Sequence, residues 1–160
     1  MTRPIYSGEF TVTLDPKRRF LLPRRLFGRT DHAKEFRIAG SAGEVFVGAS
    51  LLRHEHRRLY LFDVPYLMGV QISSPEVSEY AWSQLSDVNT DAQGRILLPD
   101  RLAGEMGFSE GSQMTIAGAR DYATIWKPDD YRSFAEIIMK RAREEQGLWH
   151  ETAWEYSISF

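Results

Sequence analysis

Residues 91–99 read Asp-Ala-Gln-Gly-Arg-Ile-Leu-Leu-Pro, and residues 15–23 read Asp-Pro-Lys-Arg-Arg-Phe-Leu-Leu-Pro. Carried on to Leu102 and Leu26, the two runs share Asp, Arg, Leu-Leu, Pro, a second Arg and a final Leu, seven identities in twelve positions at an offset of 76 residues. A second echo follows each copy: Phe36-Arg37-Ile38-Ala39-Gly40 against Met114-Thr115-Ile116-Ala117-Gly118, its spacing changed by only two residues. Coincidence rarely produces this, and the chain reads as two related halves. The expected organisation is a first half over 5–63, a helical connector over 64–84 and a second half over 85–127. A C-terminal helix over 128–147 and an aromatic tail over 148–160 complete it.

Working outward, Gly8 to Leu14 places Phe10, Val12 and Leu14 alternately with Glu9, Thr11 and Thr13, the period-two pattern of a half-buried strand. Asp15-Pro16 opens a turn, because proline presets φ and aspartate accepts local backbone hydrogen bonds. Phe20-Leu21-Leu22 is the expected return strand, extended where Leu22 precedes proline. Pro23 suits the start of a short helix that Gly28 can end. Phe36–Gly40 and Glu44–Gly48 suggest a second hairpin around Ser41-Ala42-Gly43. The second half runs through the same parts: a strand over 85–90, a turn over 91–94, a return strand over 95–98, a short helix over 99–103, and strands over 113–117 and 122–126. Ser50–Tyr60 and Pro75–Gln84 read as helices between the halves. Pro128, followed by Asp129 and Asp130, begins the last helix, with Tyr131, Phe134, Ala135, Ile138 and Ala142 at helical spacing and Gly147 as its stop.

The 160 residues carry a net charge of −2, with 42% hydrophobic and 26% charged residues, ordinary values for a globular protein. With no cysteine, disulfides and thiolate chemistry are excluded. No apolar run reaches the roughly 20 residues of a membrane span, and Met1 to Glu9 lack a signal-peptide core, so a non-exported cytoplasmic protein is expected. Charge is unevenly spread. Residues 15–29 hold Lys17, Arg18, Arg19, Arg24, Arg25 and Arg29 against Asp15, a local +5 that leaves −7 elsewhere. A local field of this kind steers a polyanion even when net charge is negative.

A tight turn pushes its tip residues outward, so Lys17, Arg18 and Arg19 should project together, with Gln93 and Arg95 matching them. Arginine suits phosphate or guanine because its planar fork can donate two parallel hydrogen bonds. Gly94 would let backbone approach phosphate closely. The plainer alternative is a surface Asp–Arg ion pair, contributing about 0–1 kcal/mol and binding nothing. Arg24, Arg25 and Arg101 fall on the short helices, either as phosphate contacts or as solvated faces. His54-Glu55-His56 is a weak metal candidate, since two histidines two apart diverge by about 200° on a helix. Neither a nucleophile elbow nor a Walker or Rossmann glycine pattern is present, which argues against an enzyme, and no metal or cofactor is expected.

The doubled Asp-x-x-x-Arg followed by an apolar strand and proline resembles the MraZ family. The strongest match is Asp91 to Pro99, supported by Ile116-Ala117-Gly118 and Ala123-Thr124-Ile125-Trp126, over roughly residues 5–140. The resemblance implies an α+β, mainly β fold: a swapped-hairpin, AbrB-like barrel from two repeats, with peripheral helices. It also implies a sequence-specific, DNA-binding transcriptional repressor of the bacterial division and cell-wall gene cluster. Such a protein would bind repeated promoter boxes on double-stranded DNA as a ring-shaped homo-oligomer, nucleoid-associated, with no membrane or small-molecule partner. Carried over by position, Arg19 and Arg95, with Lys17, Arg18, Gln93, Arg24, Arg25 and Arg101, contact DNA, while Asp15, Asp91 and Gly94 organise the turns. The first turn departs from the family pattern, with Arg18 where Lys-Gly-Arg is usual. The alternative function is an interaction and assembly module of the same fold.

Overall fold

The computed structural model describes residues 3–28, 30, 33–48 and 57–145. Its fold is mixed α+β, with most strands in one large antiparallel sheet. In chain order the strands are β1 (Glu9–Thr13), β2 (Arg19–Leu21), β3 (Glu35–Ala39), β4 (Leu59–Asp63), β5 (Ser86–Asn89), β6 (Arg95–Leu97), β7 (Gln113–Gly118) and β8 (Ala123–Trp126). The helices are α1 (Glu44–Val47), α2 (Val64–Gly69), α3 (Pro75–Ser83), α4 (Asp100–Met106) and α5 (Pro128–Glu145), with short 3-10 turns at Arg24–Phe27 and Ser41–Gly43. Local chemistry explains several boundaries. Asp63 and Ser74 cap α2 and α3 by accepting from the backbone N–H of Tyr66 and Val77, each with proline in the first turn. Gly107, in the left-handed region, ends α4.

Six strands run in the order β1-β7-β8-β4-β3-β5, and β2 pairs β6 in a separate two-stranded ribbon. Exchanging β1–β4 for β5–β8 reverses this order and leaves it unchanged. Within each half the later strands form a hairpin, β3 with β4 and β7 with β8. The earlier strands cross over: β1 pairs β7, β5 pairs β3, and β2 pairs β6. This corrects the expectation that residues 20–22 return along β1. The turn itself closes, with the Asp15 N–H donating to the Arg19 carbonyl at 2.8 Å. β1 then finds five registered partners in β7, more ladder than the three-residue β2 can offer. Nor is the sheet a closed barrel. Its edge strands β1 and β5 form no ladder with each other; the ribbon lies beside both edges, β2 against β1 and β6 against β5.

The core has two parts. Phe20 and Ile96 from the ribbon join Phe36, Ile38, Leu59, Leu61, Ile116 and Ile125 on one side of the sheet. On the other, Tyr60 and Phe62 pack with Phe46, Leu67 and Ala81 under α1–α3. β4 therefore contributes to both clusters with alternate residues, and all five of its positions are buried. Two further expectations are corrected here. Glu44–Val47 is helical rather than the second arm of a hairpin, because β4 takes the place beside β3. The helix expected over 50–60 gives way at its end to β4. The His54-Glu55-His56 stretch, Arg29, Gly147 and the 148–160 tail lie outside the described residues. No helix among the described residues is long and apolar enough to cross a membrane.

Candidate nucleic-acid interface

The two turns are built by the same bonds. Asp15 Oδ1 accepts from the backbone N–H of Lys17 at 2.9 Å and of Arg19 at 2.8 Å, and its Oδ2 accepts from Arg19 Nε at 2.9 Å. Asp91 Oδ1 accepts from the N–H of Gln93 and of Arg95, both at 2.9 Å, and its Oδ2 from Arg95 Nε at 2.9 Å. A two-residue Asx pattern needs a short acceptor side chain at its start, which is what the repeated aspartate provides. These bonds hold both carboxyls below the usual carboxylate range, with the following arginine's backbone N–H the largest cause in each. The fourth turn residue is left-handed in both copies, Arg18 at φ 60° and Gly94 at φ 80°. Each also accepts across the halves: Leu98 N–H donates to the Arg18 carbonyl at 2.8 Å, and Leu22 N–H to the Gly94 carbonyl at 3.0 Å.

The ribbon register decides where the arginines point. Arg19 stands opposite Leu97, Phe20 opposite Ile96, and Leu21 opposite Arg95. Facing residues of an antiparallel pair share a side, and alternate residues along a strand share one too. With Phe20 and Ile96 buried beneath, Arg19, Leu21, Arg95 and Leu97 form the outer face. Arg19 and Arg95 are diagonal neighbours there, roughly 7–8 Å apart at the backbone. Both guanidinium groups are held from the side through Nε, and their side chains remain 27% and 30% exposed. Among the described residues, neither Nη of Arg19 has a hydrogen-bond partner, while Arg95 Nη2 donates to Gln93 Oε1 at 3.1 Å. Arg19 therefore keeps both Nη groups available, whereas Arg95 shares one of its two with Gln93.

Exchange of strands between the halves also redistributes charge. Arg18 reaches an ion pair with Asp100, the first residue of α4 in the second half. Arg24 moves the other way, lining an open groove of about 420 Å³ together with Leu21, Lys34 and the second turn, Asp91–Gly94. The first turn thus gathers Lys17, Arg18 and Arg19 against Asp15 and Asp100, and the second Arg24, Lys34 and Arg95 against Asp91. Both carry net positive charge, +1 at the first and +2 at the second, although the sequence concentrates its cations in the first half. Arg25 is exposed on the 3-10 turn, and Arg101 on α4 pairs with Glu105 at 3.3 Å. Sequence reading missed Asp100 and the exposed pair Leu21 and Leu97. It also missed a buried cluster in which Asp63 accepts from Arg3 Nη2 and Tyr6 Oη, both at 2.8 Å. Burial there pushes the Tyr6 hydroxyl well above its ordinary value. The signal for Asp100 was its place after Pro99 as an acid opening a helix.

A family model described as "MraZ protein, putative antitoxin-like" matches residues 83–147, which include the second turn and not the first. Relatives extend the likeness. The Transcriptional regulator MraZ of Thermomicrobium roseum is 27% identical over 145 residues, covering 84% of this chain and 89% of that protein. That of Dehalococcoides mccartyi is 29% identical over 150 residues, covering 89% and 92%. These matches support a place for the chain in the MraZ family. A further MraZ relative, from Cytophaga hutchinsonii, is 24% identical over 132 residues, with 81% of this chain and 83% of that protein covered.

Proposed function

We propose that this chain is a transcriptional regulator of the MraZ family that binds double-stranded DNA sequence-specifically through its two turns. The observation that carries the reading is the ribbon register, which puts Arg19 and Arg95 on one outer face, each held through Nε, with Arg95 sharing one Nη with Gln93. A two-stranded ribbon fits the major groove, where an arginine can bind guanine O6 and N7 together. Lys17, Arg18, Gln93, Arg24, Arg25 and Arg101 act as flanking contacts, while Asp15, Asp91 and Gly94 set the turns. Arg18 reaches a phosphate by exchanging Asp100 for it.

One bidentate guanine contact contributes about 1–3 kcal/mol of discrimination, whereas nanomolar binding needs about 12 kcal/mol. Several copies must therefore engage one DNA, which supports a homo-oligomer, read as a ring on repeated promoter boxes. The crossed pairing of early strands supports descent from two repeats, 5–63 and 85–127, joined by 64–84 into a swapped-hairpin, AbrB-like architecture. Repression of the division and cell-wall gene cluster and association with the nucleoid complete the reading. A second reading, an assembly module of the same fold, draws on Met68, Val77 and Tyr80, exposed on α2 and α3.

The test is an anisotropy titration of the full chain with a duplex from its own upstream region and with a shuffled duplex. Tighter binding to the first is expected, with log affinity falling by about 0.9 per phosphate contact for each decade of salt. Equal or salt-independent binding contradicts the proposal.

A further inference from the structure

The outer face of the ribbon holds something its charge does not explain. Leu21 is 53% exposed and Leu97 58% exposed, each in a three-residue strand whose middle side chain is fully buried. They occupy matching positions in the two halves, so the feature occurs twice. Outward positions on a short exposed ribbon are normally polar or charged, which blunts unwanted pairing. Each leucine stands directly opposite an arginine, Leu21 facing Arg95 and Leu97 facing Arg19. The result is a four-residue plate with guanidinium groups on one diagonal and isobutyl groups on the other.

We infer that Leu21 and Leu97 are base-reading residues that press against the C5-methyl groups of thymine. The inference rests on the DNA-binding reading above. Among the major-groove edges only thymine offers an apolar group, and apolar side chains recognise it by contact. A ribbon that brings Arg19 and Arg95 to guanine carries the two leucines to the same depth. The leucines are diagonal neighbours, roughly 7–8 Å apart, close to two base steps of about 3.4 Å. A second copy of the chain is the poorer occupant, because the plate it would present has leucines but no acceptor for the guanidinium groups. A polyanion presenting methyl groups complements both diagonals.

The experiment compares two duplexes of the upstream region, one natural and one with every thymine replaced by deoxyuridine, which removes the methyl group and keeps the base pairing. Burying one carbon group changes affinity about four-fold, so the wild-type chain should bind the deoxyuridine duplex about ten- to twenty-fold more weakly for each engaged copy whose two leucines make contact. The Leu21→Ser/Leu97→Ser variant should bind both duplexes alike. Its exposed positions leave the fold intact, checked by a thermal melt. Arg19→Ala/Arg95→Ala should weaken both duplexes equally, which separates base reading by the leucines from binding as such. Equal wild-type affinity for the two duplexes overturns the inference while leaving DNA binding in place. So does a leucine variant that keeps full discrimination, which would assign the effect to DNA shape. A leucine variant that loses oligomeric mass in sedimentation assigns the leucines to contact between copies and also overturns it. Binding to neither duplex removes this inference together with the reading beneath it.

Discussion

The first and second turns share a hydrogen-bond plan and differ in what fills it. Both aspartates accept from two backbone N–H groups and one Nε at 2.8–2.9 Å. The second turn meets its left-handed position with Gly94, the first with Arg18. A non-glycine residue there costs about 1–2 kcal/mol, and an exposed ion pair such as Arg18–Asp100 offsets about 0–1 kcal/mol of it. The comparison teaches that the aspartate bonds, rather than glycine, define this turn. Once they fix the backbone, the remaining positions are available for chemistry. At the tip the first turn places Lys17, a donor with no acceptor, where the second places Gln93, which can do both.

The largest expected effect tests whether the turns are equivalent in use. Arg19→Ala and Arg95→Ala should each weaken binding to the upstream duplex by about 1–3 kcal/mol, read by anisotropy. A loss confined to one variant would break the equivalence. Next come the left-handed positions. Gly94→Ala should lower stability by about 1–2 kcal/mol in urea denaturation, because its Cβ meets only an ordinary contact with Leu21 and the cost is backbone strain. Arg18→Gly should change stability by less than about 1 kcal/mol, since relieved strain is countered by glycine entropy and the lost ion pair. A large loss from Arg18→Gly would show that its side chain, not the aspartate, builds the first turn.

The turns, the short helix after Pro23, β7, β8 and the start of α5 could be read from the chain because each rests on nearest neighbours: Asx bonding, proline geometry, period-two alternation. What local signals cannot carry is the choice of partner. Phe20-Leu21-Leu22 looks the same whether it pairs β1 or, as here, β6. β4 was hidden because Leu-Tyr-Leu-Phe is apolar at every position. Alternation vanishes when both faces are covered, here by two separate clusters. Glu44–Val47 alternates over too few residues to distinguish strand from helix. The candidate site was half legible: Asp15, Arg19, Asp91 and Arg95 stood out as a repeat, whereas Asp100 beside Arg18 and Arg24 beside Gly94 depend on chain crossing between the halves.

Smaller effects sharpen the difference between the tips. Lys17→Gln should reduce the salt slope of DNA binding by about 0.9, and Gln93→Lys should raise it by about the same. Parallel salt titrations read both, and an unchanged slope in Lys17→Gln would place that lysine away from phosphate. The smallest concerns pH. Both turn carboxyls are held below their ordinary value, so their contribution is complete above about pH 4, the unfolded range. It is lost only as pH falls further, through the lowered folded values. Amide exchange at Arg19 and Arg95 should stay protected from pH 7 to 5 and weaken together in stronger acid. Protection lost near pH 6, or at one turn alone, would contradict the shared bonding plan.

The most direct test of the account is a double-mutant cycle on one duplex. Wild type, Arg19→Ala, Arg95→Ala and the double variant are titrated against the upstream region at a single salt concentration, with oligomeric mass measured for each. Two arginines on one ribbon face, reading the same DNA, predict similar single losses and a double variant that loses most of the preference for its upstream region over a shuffled duplex. A double variant that retains the wild-type preference for its upstream region would contradict it.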